Sequence, residues 1–263
     1  MKEQVFDTPG PLDVSVRLGS GDVSVRAEAV TSTTMRISGE RDPDELMIEL
    51  QPAGIGRQHL RIEQRRTGRK FRPGRSSLHV ELVVPNSTRL RVDGGSADLH
   101  AAGLLEAVTF HTGSGDAALD EVSGDVDVKV ASGDVTVGSV RGSLSFHAAS
   151  GDFRAGHIAG ELVARTASGD LRVDSAESGA RVSTLSGDVA LGGLRAGVID
   201  VQAVSGDVEL SVANGTNVYL DLSATTGSAT SDLPVSEHPV TDDATPLELR
   251  VSTVSGDIRV RRG

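Results

Sequence analysis

The chain has 263 residues, a formal net charge of −11 at pH 7, 24% charged and 2% aromatic residues, and no cysteine. The missing cysteines exclude disulfides, thiolate metal centres and thiol nucleophiles, and the acidic balance disfavours general binding to nucleic acid or anionic lipid, leaving either to local basic clusters. With no tryptophan, one tyrosine and five phenylalanines, a wide core of large rings gives way to a thin one of Val, Leu, Ala and Thr.

The amino terminus, Met1 to Asp7, lacks the apolar run of a signal peptide, and no stretch approaches the ~20 apolar residues that cross a bilayer. The sequence therefore predicts a cytoplasmic protein, with peripheral membrane association through a basic cluster as the route to a membrane. Residues 1–40 alternate in polarity: Leu12, Val14 and Val16, a turn at Gly19-Ser20-Gly21-Asp22, then Val23, Val25, Met35 and Ile37. This reads as strands in an irregular first coil. Leu46, Ile48, Leu50, Leu60 and Ile62 predict two more strands, and Thr67 to Ser77 has loop composition. Across residues 57–75 stand Arg57, Arg61, Arg65, Arg66, Arg69, Lys70, Arg72 and Arg75 against one acid, Glu63. Leu78, Val80, Leu82 and Val84, closed by Pro85-Asn86, form a strand leading into a regular array.

The array is marked by Ser-Gly-Asp beginning at Ser114, Ser132, Ser150, Ser168, Ser186 and Ser205, a step of 18 residues four times and then 19. Ser96-Ala97-Asp98, Ser20-Gly21-Asp22 and Ser255-Gly256-Asp257 extend it, and a fixed period of this kind signals stacked repeats. Counting from each Asp, apolar residues fall at +1, +3, +6, +10, +12 and +14. From Asp134 these are Val135, Val137, Val140, Leu144, Phe146 and Ala148. Each coil of ~18 residues thus holds two short strands with alternate side chains inward. A hexapeptide helix would need an aliphatic residue six positions after Phe146, where Asp152 stands. The expectation is an all-β, single-stranded β-solenoid (β-helix), strands ~4.8 Å apart along its axis and two sheets ~10 Å apart. It forms one domain over 1–263: irregular coils over 1–94, regular repeats over 95–230, an excursion loop over 231–246 and a last coil over 247–263. In that last coil Arg259, Arg261 and Arg262 would give the end a charged, capping rim.

These residues resemble a bacterial adhesin-like family of β-strand repeats, domain of unknown function 4097. The resemblance lies in Thr8-Pro9-Gly10-Pro11-Leu12, Gly21-Asp22-Val23, Val84-Pro85 and the recurrent Ser-Gly-Asp-Val, and covers nearly the whole chain. It implies a β-solenoid, sometimes associated with the cell envelope or envelope stress, and supplies no catalytic residues.

Three groups are candidates for chemistry or binding. The ladder Asp98, Asp116, Asp134, Asp152, Asp170, Asp188 and Asp207 stacks like charges, which requires compensation. Turn backbone N–H groups accepted by the carboxylates would supply it, beside glycines in conformations other residues avoid. Calcium held by Asp116, Asp134, Asp152, Asp170 and Asp188 is the alternative. Calcium rolls, however, need glycine-rich turns at consecutive nine-residue steps, and only Ser114, Ser123 and Ser132 keep that step. A second group, His111, Lys129, His147 and Arg165 at +13, would point outward as a cationic stripe for an anionic polymer or headgroup. The third, the basic loop, would dock on anionic lipid or an acidic protein partner, since nucleic-acid binding would add stacking aromatics and only Phe71 is present.

Scattered histidines, no Gly-x-Ser-x-Gly elbow and no metal spacing lead to a non-enzymatic reading without cofactor. The sequence points to an intracellular β-solenoid binding or scaffold module contacting its partner through the basic loop. The alternatives are a self-polymerising scaffold resembling the bactofilins and a surface adhesin exported by another route. A capped end would favour the binding module, and a bare apolar end coil would favour the stacking scaffold.

Overall fold

The computed structural model describes residues 1–39, 46–54, 56–64, 78–233 and 247–263. Among them every regular element is a strand and no helix occurs. The chain divides into two compact units, Met1–Val137 and Gly138–Gly263.

The first unit contains β1 (Lys2–Asp7), β2 (Leu12–Glu28), β3 (Ser32–Gly39), β4 (Leu46–Pro52), β5 (Gln58–Gln64), β6 (Leu78–Pro85), β7 (Arg89–Leu105), β8 (Ala107–Ser114), β9 (Ala117–Val122) and β10 (Val126–Ser132), and ends within β11 (Val135–Val140). The predicted alternation is present: Leu12, Val14, Val16, Val23 and Val25 of β2 are buried, as are Leu78, Val80, Leu82 and Val84 of β6. Gly19 to Asp22 does not interrupt β2, which runs through 17 residues. There Gly21 takes φ +146°.

Parallel pairing links β2 to β5, β6 and β7, β7 to β8 and β9, and β8 to β10. The opening differs from the expected irregular coil, because β1 and β6 both lie antiparallel to β3, and β4 lies antiparallel to β5. The β4–β5 link is short and closed by the Ala53 N–H donating to the Arg57 carbonyl at 2.8 Å. So short a link permits only an antiparallel pair.

The second unit contains β12 (Leu144–Ser150), β13 (Phe153–Ile158), β14 (Leu162–Ser168), β15 (Leu171–Ala176), β16 (Ala180–Ser186), β17 (Val189–Leu194), β18 (Gly197–Ser205), β19 (Val208–Val212), β20 (Val218–Thr226), β21 (Ala229–Ser231), β22 (Leu247–Ser255) and β23 (Ile258–Arg262). From β12 to β19 each strand lies parallel to the next but one, Leu144 beside Leu162, Phe153 beside Leu171 and Val189 beside Val208. The sheets are solenoid-like, with small aliphatic residues filling the interior. Its widest filling is the pair Phe146 and Phe153, both fully buried, rings stacked at 4.6 Å.

The chain's close departs from sequence order. β22 lies between β18 and β20, and β23 between β19 and β21. Among the described residues the coil formed last in sequence is therefore interior, and the outermost is the earlier β20–β21. Leu247, Leu249, Val251, Ile258 and Val260 are buried, while every residue of β20 is half-buried or exposed, and Ile258 and Val260 stand beside Ala229 and Ser231. The more aliphatic coil takes the inner place. The expected charged rim is correspondingly absent from the outermost coil. Arg261 pairs with Glu209 at 2.9 Å, and Arg262 donates to the carbonyls of Ala213 and Thr216 at 2.9 and 3.1 Å.

Candidate functional site

At the repeat turns the carboxylates of Asp98, Asp116, Asp152, Asp170, Asp188, Asp207 and Asp257 each accept from the turn of a neighbouring coil. In the first unit the Asp116 N–H donates to Asp98 Oδ1 at 2.9 Å and the Asp134 N–H to Asp116 Oδ1 at 2.8 Å. In the second, the N–H groups of Asp170, Asp188, Asp207 and Asp257 donate to Oδ1 of Asp152, Asp170, Asp188 and Asp207 at 2.8–3.0 Å. The Ser228 N–H and hydroxyl close the series on Asp257 Oδ1, both at 2.9 Å. That backbone N–H first, the hydroxyl second, and Arg259 hold the Asp257 carboxyl below the usual carboxylate range. One oxygen of each accepting carboxylate is thus committed to backbone. Among the described residues no three His, Cys, Asp or Glu side chains gather as a metal site.

Glycine precedes every Asp of the series except Asp98, which follows Ala97, and makes this approach feasible. At Gly187, φ is +131° and an added Cβ would lie 2.1 Å from the Gly169 carbonyl oxygen. Any side chain would collide with backbone that cannot swing aside.

The outward column containing His111 and Lys129 is balanced by carboxylates. Cross-strand register sets Glu63 beside Arg17, Arg17 beside Asp93, Asp93 beside His111 and His111 beside Lys129. His111 Nε2 lies 2.9 Å from Asp127, which also accepts from Lys129 Nζ at 3.1 Å. Arg91 donates twice to Asp93, at 2.9 and 3.0 Å. Burial opposes ionisation of Asp93, but the hydrogen bonds and charge of Arg91, with Arg17 and His111, outweigh it and lower its pKa. Burial likewise opposes ionisation of Asp127, and the hydrogen bonds from His111 and Lys129 prevail. In the first unit acids and bases therefore alternate from Glu63 through Arg17 and Asp93 to His111, and Asp127 bridges His111 and Lys129. In the second, His147 and Arg165 stand side by side and the column continues through Ser183, Gln202 and Ser252.

Of the basic cluster, Arg57 and Arg61 are described, and Arg65, Arg66, Arg69, Lys70, Arg72 and Arg75 lie outside the described residues. Arg57, 17% exposed, pairs with Asp13 at 3.2 Å and with Glu106, and Arg61 pairs with Glu63. Beside them lies a shallow groove of about 500 Å³ lined by Ser15, Arg17, Arg61, Arg89 and Asp93 among others. Ser15 Oγ meets His59 Nε2 there at 2.8 Å. Its arginines are balanced by neighbouring carboxylates.

On the second unit an apolar ridge stands out. Leu185, Val204 and Val254 are 58%, 46% and 50% exposed. Thr184, Ala203 and Thr253 are register partners, as are Ser186, Ser205 and Ser255, so the three aliphatics between them sit side by side on neighbouring strands. Their flanks, Ser183, Gln202 and Ser252 on one side and the three serines on the other, carry no charge.

The family model of Toastrack DUF4097 matches residues 3–156 and again 142–261. The chain belongs to this family. Solved structures similar to this Toastrack chain include a candidate adhesin from Bacteroides fragilis, 12% identical over 98% of this chain and 96% of that one, with a TM-score of 0.39. Others are a candidate lipid-binding protein from Parabacteroides distasonis (15%, 98% and 96%, TM-score 0.46) and a candidate cell adhesion protein from Clostridium sporogenes (8%, 100% and 99%, TM-score 0.31). Among curated proteins no match is found.

The Toastrack repeat also explains why sequence reasoning passed over the ridge. The residue before each Ser-Gly-Asp is Gly113, Ala131, Ala149 and Ala167, and only then Leu185, Val204 and Val254. The signal is a size increase down one column, visible once the columns are aligned.

Proposed function

We propose that this Toastrack protein is a non-catalytic binding and scaffold module, built of coils of about 18 residues with two short strands each, that engages a protein partner inside the cell. The observation carrying this reading is the ridge Leu185–Val204–Val254. Single exposed aliphatics are ordinary on protein surfaces. Three side by side on adjacent strands, within an uncharged rim on a chain that is 24% charged, have the composition of an interface core. An anionic lipid surface would be matched instead by cations, and none flanks the ridge. The neutralised Arg57 and Arg61 likewise move the proposed contact away from the start of the basic segment.

A photoreactive residue at position 204 should yield one discrete cross-linked protein adduct in cells. Leu185→Ser with Val254→Ser should abolish it, and a photoreactive residue at the distant position 172 should give none. Equal labelling from positions 204 and 172 would remove the ridge as the contact.

A further inference from the structure

We infer that two copies of this chain associate through β20, edge to edge and antiparallel about a two-fold axis, forming a closed dimer. The inference rests on the outermost described coil, where register sets Thr225 beside Val254 of the partner ridge. β20 is a nine-residue strand whose described pairing is with β22 alone, and β21 pairs with β23 alone. The side chains of β20 that face the interior, Val218, Leu220, Leu222 and Ala224, are only half-buried, and Tyr219 on the opposite face is 64% exposed. From Val218 to Ser231 the only charge is Asp221, with no proline or lysine. Natural sheets block such edges with charge, proline or a bulge; this edge has one carboxylate.

The occupant follows from complementarity and from the other free edges. Antiparallel pairing centred on Leu222 overlaps all nine residues and keeps interior-facing side chains on one side. It sets Tyr219 opposite Thr225, Leu220 opposite Ala224, and Asp221 opposite Ser223. Shifting the centre to Asp221 would oppose two carboxylates, which is unfavourable. A head-to-tail polymer would instead need an equally bare edge in the first unit. There β1, paired with β3, carries Lys2, Glu3 and Asp7, and β4, paired with β5, carries Glu49 and Pro52. Those edges have the blocking residues that β20 lacks. One self-complementary edge without an open counterpart gives a two-fold dimer rather than a filament.

Light scattering on the purified full chain at micromolar concentration should give twice 27.2 kDa. Tyr219→Lys with Thr225→Lys places like charges across the two-fold and should return the mass to 27.2 kDa at unchanged melting temperature, both side chains being exposed. Tyr219→Lys with Thr225→Glu makes the same positions complementary and should restore the dimer, whereas Leu185→Ser with Val254→Ser should leave it intact. A wild-type mass of one chain at every concentration, a mass growing beyond two chains, or a dimer indifferent to the lysine pair would each overturn the inference.

Discussion

At Gly187 one missing methyl group decides whether neighbouring turns can stack. An alanine there must hold φ near +131° and place its Cβ 2.1 Å from the Gly169 oxygen, so Gly187→Ala should cost about 3 kcal/mol or more in denaturant unfolding. Gly54 supplies the control: its φ is +73° but nothing lies within 4 Å of an added Cβ, and Gly54→Ala should cost only the ~1 kcal/mol of a left-handed alanine. Equal losses at the two sites would show that the carbonyl contact is unimportant. Asp93 and Asp127 set a pH dependence at the same scale. Their folded pKa values are lowered, so their contribution to stability is present above the unfolded value of ~3.9 and disappears as pH falls through the lower folded values. Asp93→Asn should therefore lower the melting temperature at neutral pH, and the gap to the natural chain should close below about pH 4. A gap constant with pH would separate the effect from ionisation.

Among the strands, position within the coil matters more than residue type. Thr112 and Thr166 are buried and donate to the Ser114 and Ser168 carbonyls at 2.9 and 3.0 Å. Thr184 and Thr253 occupy the corresponding places in β16 and β22, yet among the described residues their buried hydroxyls have no hydrogen-bond partner. Replacing a satisfied hydroxyl with a methyl removes a hydrogen bond, whereas replacing an orphaned one removes a desolvation cost. Thr166→Val should destabilise by about 1 kcal/mol, and Thr184→Val and Thr253→Val should each stabilise by a similar amount. Thermal unfolding of the three variants checks the sign, and loss of stability at Thr184 would mean that its hydroxyl is bonded in solution. Strand order follows the apolar content of the whole coil: β23 sets Ile258 and Val260 where β21 has Ala229 and Ser231, so the closing coil has more to gain from the inner place.

At the scale of the whole molecule, charge and apolar surface occupy different places. The outer face of the first unit is a ladder of matched ion pairs, which contributes solubility and register more than stability, since exposed pairs are worth little. The second unit carries the uncharged ridge and the β20 edge, which among the described residues pairs only with β22, the two surfaces proposed for a partner and for a second copy. The two surfaces adjoin, since register sets Thr225 of β20 beside Val254 of the ridge, and different readouts tell them apart: the cross-linked adduct from position 204 reports the partner, and the mass of twice 27.2 kDa reports the second copy.

The sequence by itself determined the all-β class, the solenoid-like array and the family. A period of 18 residues carried by Ser-Gly-Asp, with inward positions alternating between, depends only on local strand geometry and on glycine at one turn position. It also placed the aspartates at the turns, although their acceptance of N–H groups from a neighbouring turn requires the coils to be stacked. Only the tertiary structure decided three other features. Composition leaves open that β3 and β4 run antiparallel, because alternation is the same in either direction. The position of the final coil inside β20–β21 reflects competition between two aliphatic sets for the same interior. The pairing of Arg57 with Asp13 and Glu106, and of His111 with Asp93, depends on strand register that no local stretch of sequence encodes.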